Sequence, residues 1–389
     1  MNESATVKPT RLVYLVSHPI QYQAPLLRRI AAEPGIELTV LFETLVTAGT
    51  FHDAGFGRDV AWDVPLTEGY AHHAVASKAD VERHLAAADV LWLHGWDSRL
   101  RRGALTLAAV LGVPTLMRGE NTAAAMPDGA GLRGLVKRHY LRTIFRHCAG
   151  FLCIGSDNRR YYAERGVAAE RLFDMPYAVD NAFFAERAQA ARPNRENLRA
   201  ELGLAPDAPV VLYAGKLQRR KHPLALYDAW RRIDGVRPAL VYVGDGEECP
   251  ALEARVEADG TGAQVRVLGF RNQSELPAFY DLADVFVLAS EREPWGLAVN
   301  EAMACGTAVI ASDQCGVAAD LVDESCGAVV SAGDTAELAS ALARLVSDRA
   351  GLAAKGEAAR RRVATWDFEA NVAGLKQAIA AVSRERRKA

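Results

Sequence analysis

The sequence predicts an α/β protein built from two doubly wound parallel-sheet domains in tandem. The chain has 389 residues, which exceeds one ordinary hydrophobic core and suits two. Short apolar runs alternate with longer helix-prone segments, a pattern typical of β-α-β units on a parallel sheet. This alternation occurs twice, in two series that are separated by a polar stretch.

The first domain is predicted over residues 1–184 and a connecting segment over residues 185–207. The strand-like runs of this domain are apolar and bounded by turn residues. In chain order they are Leu12–Ser17, Ile36–Phe42, Val90–His94, Pro114–Arg118, Phe151–Ile154 and Leu172–Pro176. The connecting segment is polar and helix-prone, and we interpret it as a linker.

The second domain is predicted over residues 208–365, followed by a C-terminal helix over residues 366–389. Because its strand-like runs again have helix-prone segments between them, the same doubly wound architecture is expected. The runs are Val210–Ala214, Ala239–Val243, Gln264–Leu268, Val285–Ala289 and Ala308–Ala311.

Composition excludes several classes of function. The net charge of −2 gives no electrostatic basis for binding nucleic acid. No apolar run approaches the roughly 18 residues of a spanning helix, and the polar first ten residues lack the apolar segment of a signal peptide. The six cysteines do not have metal-binding spacing and suit a reduced compartment. We therefore expect a cytoplasmic protein.

Two glutamates eight positions apart, Glu293 and Glu301, give the strongest functional signal. A buried strand precedes them, and a helix is predicted from about Leu297 to Cys305. Such a strand–turn–helix unit directs free backbone amides and a partial positive charge at the strand end, where phosphate commonly binds. Carboxylates there suit the hydroxyls of a sugar or ribose, so the arrangement predicts a nucleotide-sugar site. A solvated loop acid and an ordinary helix acid are the alternative interpretation.

The segment Ser290–Ser312 resembles the donor-site signature of glycosyltransferase family 4, the retaining transferases of the GT-B fold. That signature is Glu, seven residues, Glu, followed by Ala-Met-Ala-x-Gly. The matching positions are Glu293, Gly296, Leu297, Glu301, Ala302–Ala304 and Gly306. The resemblance implies two Rossmann-like domains that face each other across a cleft, with the C-terminal helix crossing back to the N-terminal domain.

The same resemblance assigns roles around the donor. Glu293 is expected to hold hydroxyls of the transferred sugar, and Glu301 those of the ribose. The phosphates are expected at the backbone amides of Trp295, Gly296, Leu297 and Ala298.

A basic loop in the second domain also resembles the family. Gly215 and Lys216 follow the first strand, with Lys221 five residues later, and Lys216 replaces the family's commoner Arg. The two lysines are expected to neutralise charge on the departing diphosphate. A solvated basic loop is the alternative.

Phe270 and Arg271 resemble the family segment that reads the nucleotide base through main-chain groups. Main-chain contacts do not reveal from the sequence which base is bound. We expect UDP rather than GDP or ADP as the nucleotide. The chain contains no Asp-x-Asp motif. We therefore expect a transferase that uses neither a metal ion nor another cofactor, with the nucleotide-sugar as its co-substrate.

The predicted acceptor half matches the family less closely. His18, Gln21 and Tyr22 lie in a proline-stiffened loop after the first strand and are expected to bind the acceptor. Loop packing with a structural His18 is the alternative.

The family's active-site His has no counterpart here, and Glu120 stands at its place with Arg118 two residues before it. Glu120 is expected to act near the reacting carbon and Arg118 to bind the acceptor side, with a structural Arg–Glu pair as the alternative. His94, at another strand end, is a second acceptor-site and acid/base candidate.

The resulting hypothesis is a retaining hexosyltransferase for glycan, polysaccharide or glycoconjugate biosynthesis. It moves a sugar from a nucleoside diphosphate to a hydroxyl of a saccharide, a lipid-linked saccharide or a small molecule. A nucleotide-sugar epimerase of the same fold and a non-catalytic nucleotide-sugar-binding partner protein remain as alternatives. Residues 132–147 predict a basic amphipathic helix, which leaves open peripheral binding to the inner face of the membrane, with a core-packed helix that has a solvated face as the alternative.

Overall fold

The computed structural model describes residues 8–235 and 237–388, with no account of the side chains of residues 385–388. The chain forms two compact units. Unit 1 comprises residues 1–50, 65–176 and 368–389, and unit 2 comprises residues 51–64 and 177–367. The outermost ends of the predicted domains, residues 1–7 and 389, lie outside the described residues.

Unit 1 contains a seven-stranded sheet in which every neighbouring pair is parallel. Its strands are β1 Thr10–Val16, β2 Ile36–Phe42, β5 Ala71–Ala74, β6 Val90–His94, β7 Thr115–Arg118, β8 Gly150–Cys153 and β9 Leu172–Asp174. The order is β5-β2-β1-β6-β7-β8-β9. The direction of winding therefore reverses between β1 and β6, which is the topological switch point of a Rossmann-like sheet.

Helices cover both faces of this sheet. They are α1 Ala24–Ala31, α2 Lys78–Leu85, α3 Arg99–Val110, α4 Gly131–Arg146, α5 Ser156–Ala163 and, from the C-terminus, α15 Phe368–Lys388. Successive residues of β1 point to opposite faces. Leu12 and Tyr14 therefore pack into a core that includes Leu375 of α15, whereas Val13 and Leu15 pack into the core of the other face.

Unit 2 repeats the architecture with a six-stranded parallel sheet. Its strands are β10 Val210–Ala214, β11 Ala239–Val243, β12 Val265–Val267, β13 Val285–Leu288, β14 Ala308–Ser312 and β15 Gly327–Val330. The order β12-β11-β10-β13-β14-β15 places the switch point between β10 and β13.

The helices of unit 2 connect these strands and extend beyond them. They are α6 Asn181–Ala191, α7 Arg195–Glu201, α8 Pro223–Arg231, α9 Cys249–Ala258, α10 Leu276–Leu282, α11 Leu297–Ala304, α12 Gly316–Leu321, α13 Thr335–Ser347 and α14 Arg349–Val363. Short 3₁₀ turns occur at Val46–Ala48, Ala169–Arg171, Arg192–Asn194 and Arg219–Lys221.

An antiparallel hairpin is inserted into unit 2 from the first half of the chain. Its strands are β3 Phe51–Asp53 and β4 Arg58–Val60. The chain leaves unit 1 at Thr50 and re-enters it at Pro65. We call residues 51–64 the inserted hairpin.

The predicted strands are all present, but the division of the chain differs from the predicted one. The N-terminal part of unit 1 ends at Pro176 instead of residue 184, and residues 185–207 form helices and a 3₁₀ turn inside unit 2 instead of a linker. They pack there because Phe184 and Ala188 of α6 are fully or almost fully buried. The final helix begins at Phe368 and belongs to unit 1.

Three further observations bear on the composition. All six cysteines are free thiols. Among the described residues, no helix is both long and apolar enough to cross a bilayer. In the same part of the chain, no three His, Cys, Asp or Glu side chains come together as a metal-binding group.

Candidate active site

Most of the predicted donor residues of unit 2 lie on the two loops at its switch point, whereas Phe270 and Arg271 follow the edge strand β12. Gly215 and Lys216 follow β10, and the loop that carries Glu293 follows β13. Since β10 and β13 are adjacent parallel strands, their carboxyl ends open at the same edge of the sheet. This is the place where doubly wound sheets bind ligands.

Glu293 is held by both its backbone and its side chain. Its amide donates to the carbonyl of Gln314 at 3.1 Å, and its carbonyl accepts from the amide of Gly316 at 3.1 Å. Its carboxylate lies 2.9 Å from Lys221 Nζ and 3.3 Å from Arg220 Nη1. The Glu293 side chain is 14% exposed, so an oriented, nearly buried carboxylate lies between two cations.

The helix that follows begins at the predicted residue because Gly296 permits a sharp turn. Gly296 has φ +108°, a conformation that side-chain-bearing residues rarely adopt. The preceding Trp295 is buried, donates from Nε1 to Asn300 at 2.8 Å and stacks on Trp366 at 5.5 Å. The partly exposed Leu297 opens α11, whose first amides have no acceptor within the helix.

Glu301 lies on the second turn of α11. Its carboxylate accepts a 2.7 Å hydrogen bond from the Tyr280 hydroxyl. Burial raises the pKa of Glu301 to about 7, although the Tyr280 hydrogen bond and the charge of Lys221 act in the opposite direction. Glu301 therefore changes its charge close to neutral pH, and its surroundings include the same Lys221 that pairs with Glu293.

Lys216 is paired with a carboxylate that the sequence analysis did not identify. Its ammonium lies 2.7 and 2.9 Å from the two oxygens of Asp53 in the inserted hairpin. The predicted base-reading residue Phe270 contacts the same hairpin, with its ring 4.9 Å from that of Phe56. Arg271 lies 3.8 Å from Glu275, and its guanidinium also donates to the Phe270 carbonyl.

In unit 1, His94 ends β6 at the switch point and is the centre of a hydrogen-bond network. The Tyr14 hydroxyl donates to Gln23 Oε1 at 2.8 Å and lies 3.0 Å from His94 Nδ1. Because the hydroxyl has one hydrogen, Nδ1 is the donor and Nε2 keeps a free lone pair. Burial, with the charges of Arg118 and Arg101, lowers the pKa of His94 to about 3, so the imidazole is neutral.

Glu120 and Tyr22 lie at the same edge. The Tyr22 hydroxyl donates to Glu120 Oε1 at 3.0 Å, and this oxygen is 4.0 Å from His94 Nε2. Each of these two acceptors can take a hydrogen bond from a separate hydroxyl of a bound molecule. The structure thus brings together Glu120, His94 and Tyr22, which the sequence analysis had placed in one site.

The other acceptor candidates differ in position. His18 and Gln21 lie partly buried in the loop after β1, and the Ser17 hydroxyl is 2.9 Å from His18 Nδ1. Burial and the charge of Arg101 lower the pKa of His18. Arg118 by contrast is only 4% exposed.

The guanidinium of Arg118 lies inside unit 1. It is 3.4 Å from the Met175 carbonyl, 3.5 Å from Asn371 of α15, and 5.9 Å from the centre of the Trp92 ring. These contacts give it a structural position between the sheet and the final helix. The charge of Arg118 still reaches His94, where it helps to lower the pKa.

Three residues of these sites were missed because their partners are distant in sequence. Asp53 is separated from Lys216 by 163 positions, and Tyr280 from Glu301 by 21. Arg101 pairs with Glu43 at 2.8 Å and donates to the His94 carbonyl at 2.7 Å. In the sequence, Arg101 is one of the basic residues at the start of α3, and no local pattern indicates that it is buried beside the end of β6.

Two doubly wound units, with a carboxylate between cations beside a helix start in unit 2, fit the fold and the donor site that the resemblance to glycosyltransferase family 4 implies. Residues 194–362 match the family model of glycosyl transferases group 1. The match covers 169 of the 389 residues, less than half of the chain, and supports the predicted family over that part.

Curated relatives carry the same type of name. The chain is 33% identical over 208 residues to D-inositol 3-phosphate glycosyltransferase of Xylanimonas cellulosilytica, which covers 52% of this chain and 50% of that protein. It is 29% identical over 356 residues to the protein of that name from Geodermatophilus obscurus, with 87% and 75% covered. The chain thus spans about half the length of the first relative and three quarters of the second.

Solved structures show the same fold. The crystal structure of Anabaena Alr3699/HepE in complex with UDP has a TM-score of 0.75 at 16% identity, covering 96% of this chain and 100% of that one. A glycosyltransferase from Rickettsia africae has a TM-score of 0.77 at 13% identity, covering 96% and 98%. At these identities the likeness concerns the fold alone.

Proposed function

We propose that this chain is a retaining, metal-independent transferase that moves a hexose or related sugar from UDP to an acceptor hydroxyl. The observation that carries the proposal is the arrangement in unit 2 of Glu293 between Lys221 and Arg220, next to the start of α11. Glu293 orients the sugar, and the helix amides and lysines stabilise the diphosphate. UDP is preferred because a structural neighbour was solved with UDP and with UDP-glucose.

The chemistry follows from the charges. Departure of UDP leaves positive charge on the sugar ring and adds negative charge to the diphosphate. Lys216, Lys221 and the first amides of α11 favour that departure. The acceptor hydroxyl attacks from the same face and passes its proton to the departing phosphate oxygen, which retains the anomeric configuration without an enzyme nucleophile.

The acceptor is proposed to bind in unit 1 at Glu120, His94 and Tyr22. The neutral His94 offers a lone pair, and Glu120 a carboxylate, 4.0 Å apart, so both accept hydrogen bonds from hydroxyl groups. Saccharides, lipid-linked saccharides and polyols all fit this chemistry. D-Inositol 3-phosphate is included as a test acceptor because the curated relatives are named for it.

The test is a panel of UDP-, GDP- and ADP-sugars incubated with the purified chain, with and without EDTA and with candidate acceptors. Release of UDP from one donor at a rate that EDTA does not change would support metal independence. An axial anomeric bond in the product of a donor whose anomeric bond is axial, observed by NMR, would support retention. Conversion of a donor into an isomeric nucleotide-sugar would instead establish an epimerase. Turnover that stops in EDTA and returns with Mg²⁺ would contradict metal independence.

We further propose that unit 1 binds the inner face of an anionic membrane through α4. Leu132, Leu135, Val136 and Tyr140 are 76%, 57%, 61% and 46% exposed, and they share one side of the helix. Arg133, Arg142 and Arg146 on the same helix are exposed as well. Apolar side chains combined with basic ones match an interface of acyl chains and anionic headgroups.

Vesicle sedimentation tests this surface. Wild-type chain is expected to sediment with phosphatidylglycerol-containing vesicles and to remain in solution with pure phosphatidylcholine. The variant Leu132→Ser/Val136→Ser should lose most of this binding, whereas Val110→Ser, an exposed apolar position on α3, should retain it. Equal binding by both variants would contradict the assignment to α4.

A further inference from the structure

The inserted hairpin contacts the loops after three neighbouring strands of unit 2, and the loops after β10 and β12 carry predicted donor residues. Asp63 accepts hydrogen bonds from the Ser274 amide at 3.3 Å, beyond β12. Asn272 donates to the Ala61 carbonyl at 2.7 Å. Arg58 lies 3.8 Å from Asp245, beyond β11. The hairpin is therefore anchored at several independent points.

Aromatic contacts complete the anchoring. The rings of Phe56 and Trp62 lie 4.9 and 6.2 Å from that of Phe270. The Arg58 guanidinium is 5.4 Å from the centre of the Phe270 ring. Rings at these separations contribute packing in addition to burial, so the segment predicted to read the base and the hairpin pack as one cluster.

Within this cluster the hairpin surrounds the Lys216 ammonium. Both oxygens of Asp53 lie within 2.9 Å of Lys216 Nζ, and the Phe56 ring centre is 4.9 Å from it. Gly55 allows this approach, because a Cβ there would be 2.6 Å from Lys216 Cδ and 2.8 Å from Nζ. Lys216 remains 32% exposed, and an ammonium has three N–H donors.

Asp53 is itself fixed by its own turn. The carboxylate accepts from the amides of Gly55 at 2.8 Å and Phe56 at 3.2 Å. Burial acts to raise the pKa of Asp53, but the hydrogen bond and charge of Lys216 and these two amides hold it below its usual value. The carboxylate is thus ionised and cannot swing away from Lys216 unless its turn opens.

We propose that Asp53 is a positioning residue of the donor site, which orients the Lys216 ammonium towards the diphosphate. Lysine carries a compact charge on a flexible stem and lacks the rigid fork of arginine, so a fixed partner is needed to hold its direction. Two carboxylate contacts leave a further N–H of Lys216 for a phosphate oxygen. This inference depends on the proposed donor site in unit 2.

The kinetic test is Asp53→Asn. Because a small misplacement of a catalytic charge can cost roughly 100-fold in rate, we expect kcat to fall by about 10- to 100-fold while the donor KM changes by less than about threefold. Asp53→Glu should recover part of the loss. Tighter UDP binding or faster turnover in Asp53→Asn would overturn the proposal, because it would mean that Asp53 competes with the diphosphate. An unchanged kcat would overturn it as well.

A matched control separates positioning from anchoring of the hairpin. Asp63→Asn makes the same chemical change in the same hairpin at its contact with Ser274, and we expect its kcat to remain within about threefold of wild type. In the double variant with Lys216→Met, Asp53→Asn should have little further effect. Equal losses in the two Asn variants, or additive losses with Lys216→Met, would overturn the proposal.

A readout independent of turnover distinguishes this inference from the proposed function. Labelling of lysines by acetic anhydride, followed by mass spectrometry, measures the exposure of the Lys216 amine. Asp53→Asn should increase its labelling several-fold over wild type and Asp63→Asn, and UDP should protect it in wild type. UDP binding without protection of Lys216 would overturn the inference and leave the donor site intact. Absence of UDP binding by calorimetry would overturn both.

Discussion

At the residue scale, the proposed donor site predicts that the protonation of Glu301 couples donor binding to pH. Burial raises the pKa of Glu301 to about 7, so the carboxyl is protonated below that pH and ionised above it. The ionised form is the better acceptor for ribose hydroxyls. Donor affinity should therefore increase as the pH rises through 7.

The first prediction concerns the dissociation constant of UDP at pH 6 and pH 8. We expect about tenfold tighter binding at pH 8 in wild type, from the ionised fraction of a group with this pKa. Glu301→Gln should show only the titration of the nucleotide itself, measured by the same calorimetry. Identical pH dependence in the two proteins would contradict the role of Glu301.

The second prediction concerns acid stability and His94. Its pKa of about 3 in the folded chain lies below the ordinary value of about 6.5, so the unfolded chain binds the proton more tightly. The contribution of the neutral His94 to the free energy of unfolding is therefore complete above about pH 6.5 and is lost as the pH falls towards 3. Between pH 8 and pH 5, the free energy of unfolding should fall by up to about 2 kcal/mol less in His94→Gln than in wild type.

Urea unfolding at the two pH values measures this difference. The exposed His139 on α4 provides a matched control, and His139→Gln should have the pH dependence of wild type. Equal slopes in wild type and His94→Gln would show that His94 titrates normally in the folded chain.

At the scale of elements, the start of α11 depends on one glycine. Gly296 has φ +108°, and a Cβ there would be 2.7 Å from the Leu288 side chain. Gly296→Ala should destabilise the chain by about 1–3 kcal/mol, because the backbone conformation is strained for alanine. UDP binding should weaken with it, since the helix amides change direction.

Gly262→Ala is the control for this third prediction, because a Cβ at Gly262 has no heavy atom within 4 Å. Thermal unfolding and UDP calorimetry are the measurements. Normal UDP affinity in a folded Gly296→Ala variant would contradict the placement of the phosphates at α11.

The α11 region could be predicted from the sequence because its signals are local. The apolar strand, the turn residues and the helix end at Gly306 lie within about 20 residues of one another, and the structure places the helix at Leu297–Ala304. The strands β3 and β4 have three residues each, too few to show a periodic pattern. Their contacts with unit 2 are made across long stretches of sequence, so the inserted hairpin was not predicted.

The candidate acceptor residues of unit 1 likewise differ in how far the local sequence predicts their positions. The strand ends of unit 1 correctly grouped Glu120, His94 and Tyr22, since adjacent parallel strands end at one edge. The burial of Arg118 depends on α15, more than 250 positions away in the chain. No pattern near Arg118 distinguishes a guanidinium inside the unit from one that faces a ligand.

At the scale of the whole molecule, α15 is part of the core of unit 1. Val372, Leu375, Ala378 and Val382 are at most 4% exposed and pack into the core that includes β1. Deletion of residues 368–389 should therefore destabilise unit 1, because the core would lose several buried side chains at about 1–3 kcal/mol each.

Hydrogen exchange with mass spectrometry checks this fourth prediction. In the truncated chain, β1, β8 and β9 of unit 1 should lose protection, while β10 and β13 of unit 2 should retain it. Uniform loss of protection in both units would show that they unfold as one cooperative block. Unchanged protection in unit 1 would contradict the structural role of α15.

The most direct test of the central claim compares Glu293 with its neighbour Glu291. Both are glutamates of one loop, but the Glu293 side chain is 14% exposed between two cations and the Glu291 side chain is 56% exposed. The measurement is the initial rate of UDP release from the preferred UDP-sugar, together with the dissociation constant of UDP. We expect Glu293→Gln to release UDP at least about 100-fold more slowly, with UDP affinity within about threefold of wild type, and Glu291→Gln to match wild type. Normal release by Glu293→Gln, or equal losses in both variants, would contradict the assignment of this site to sugar transfer.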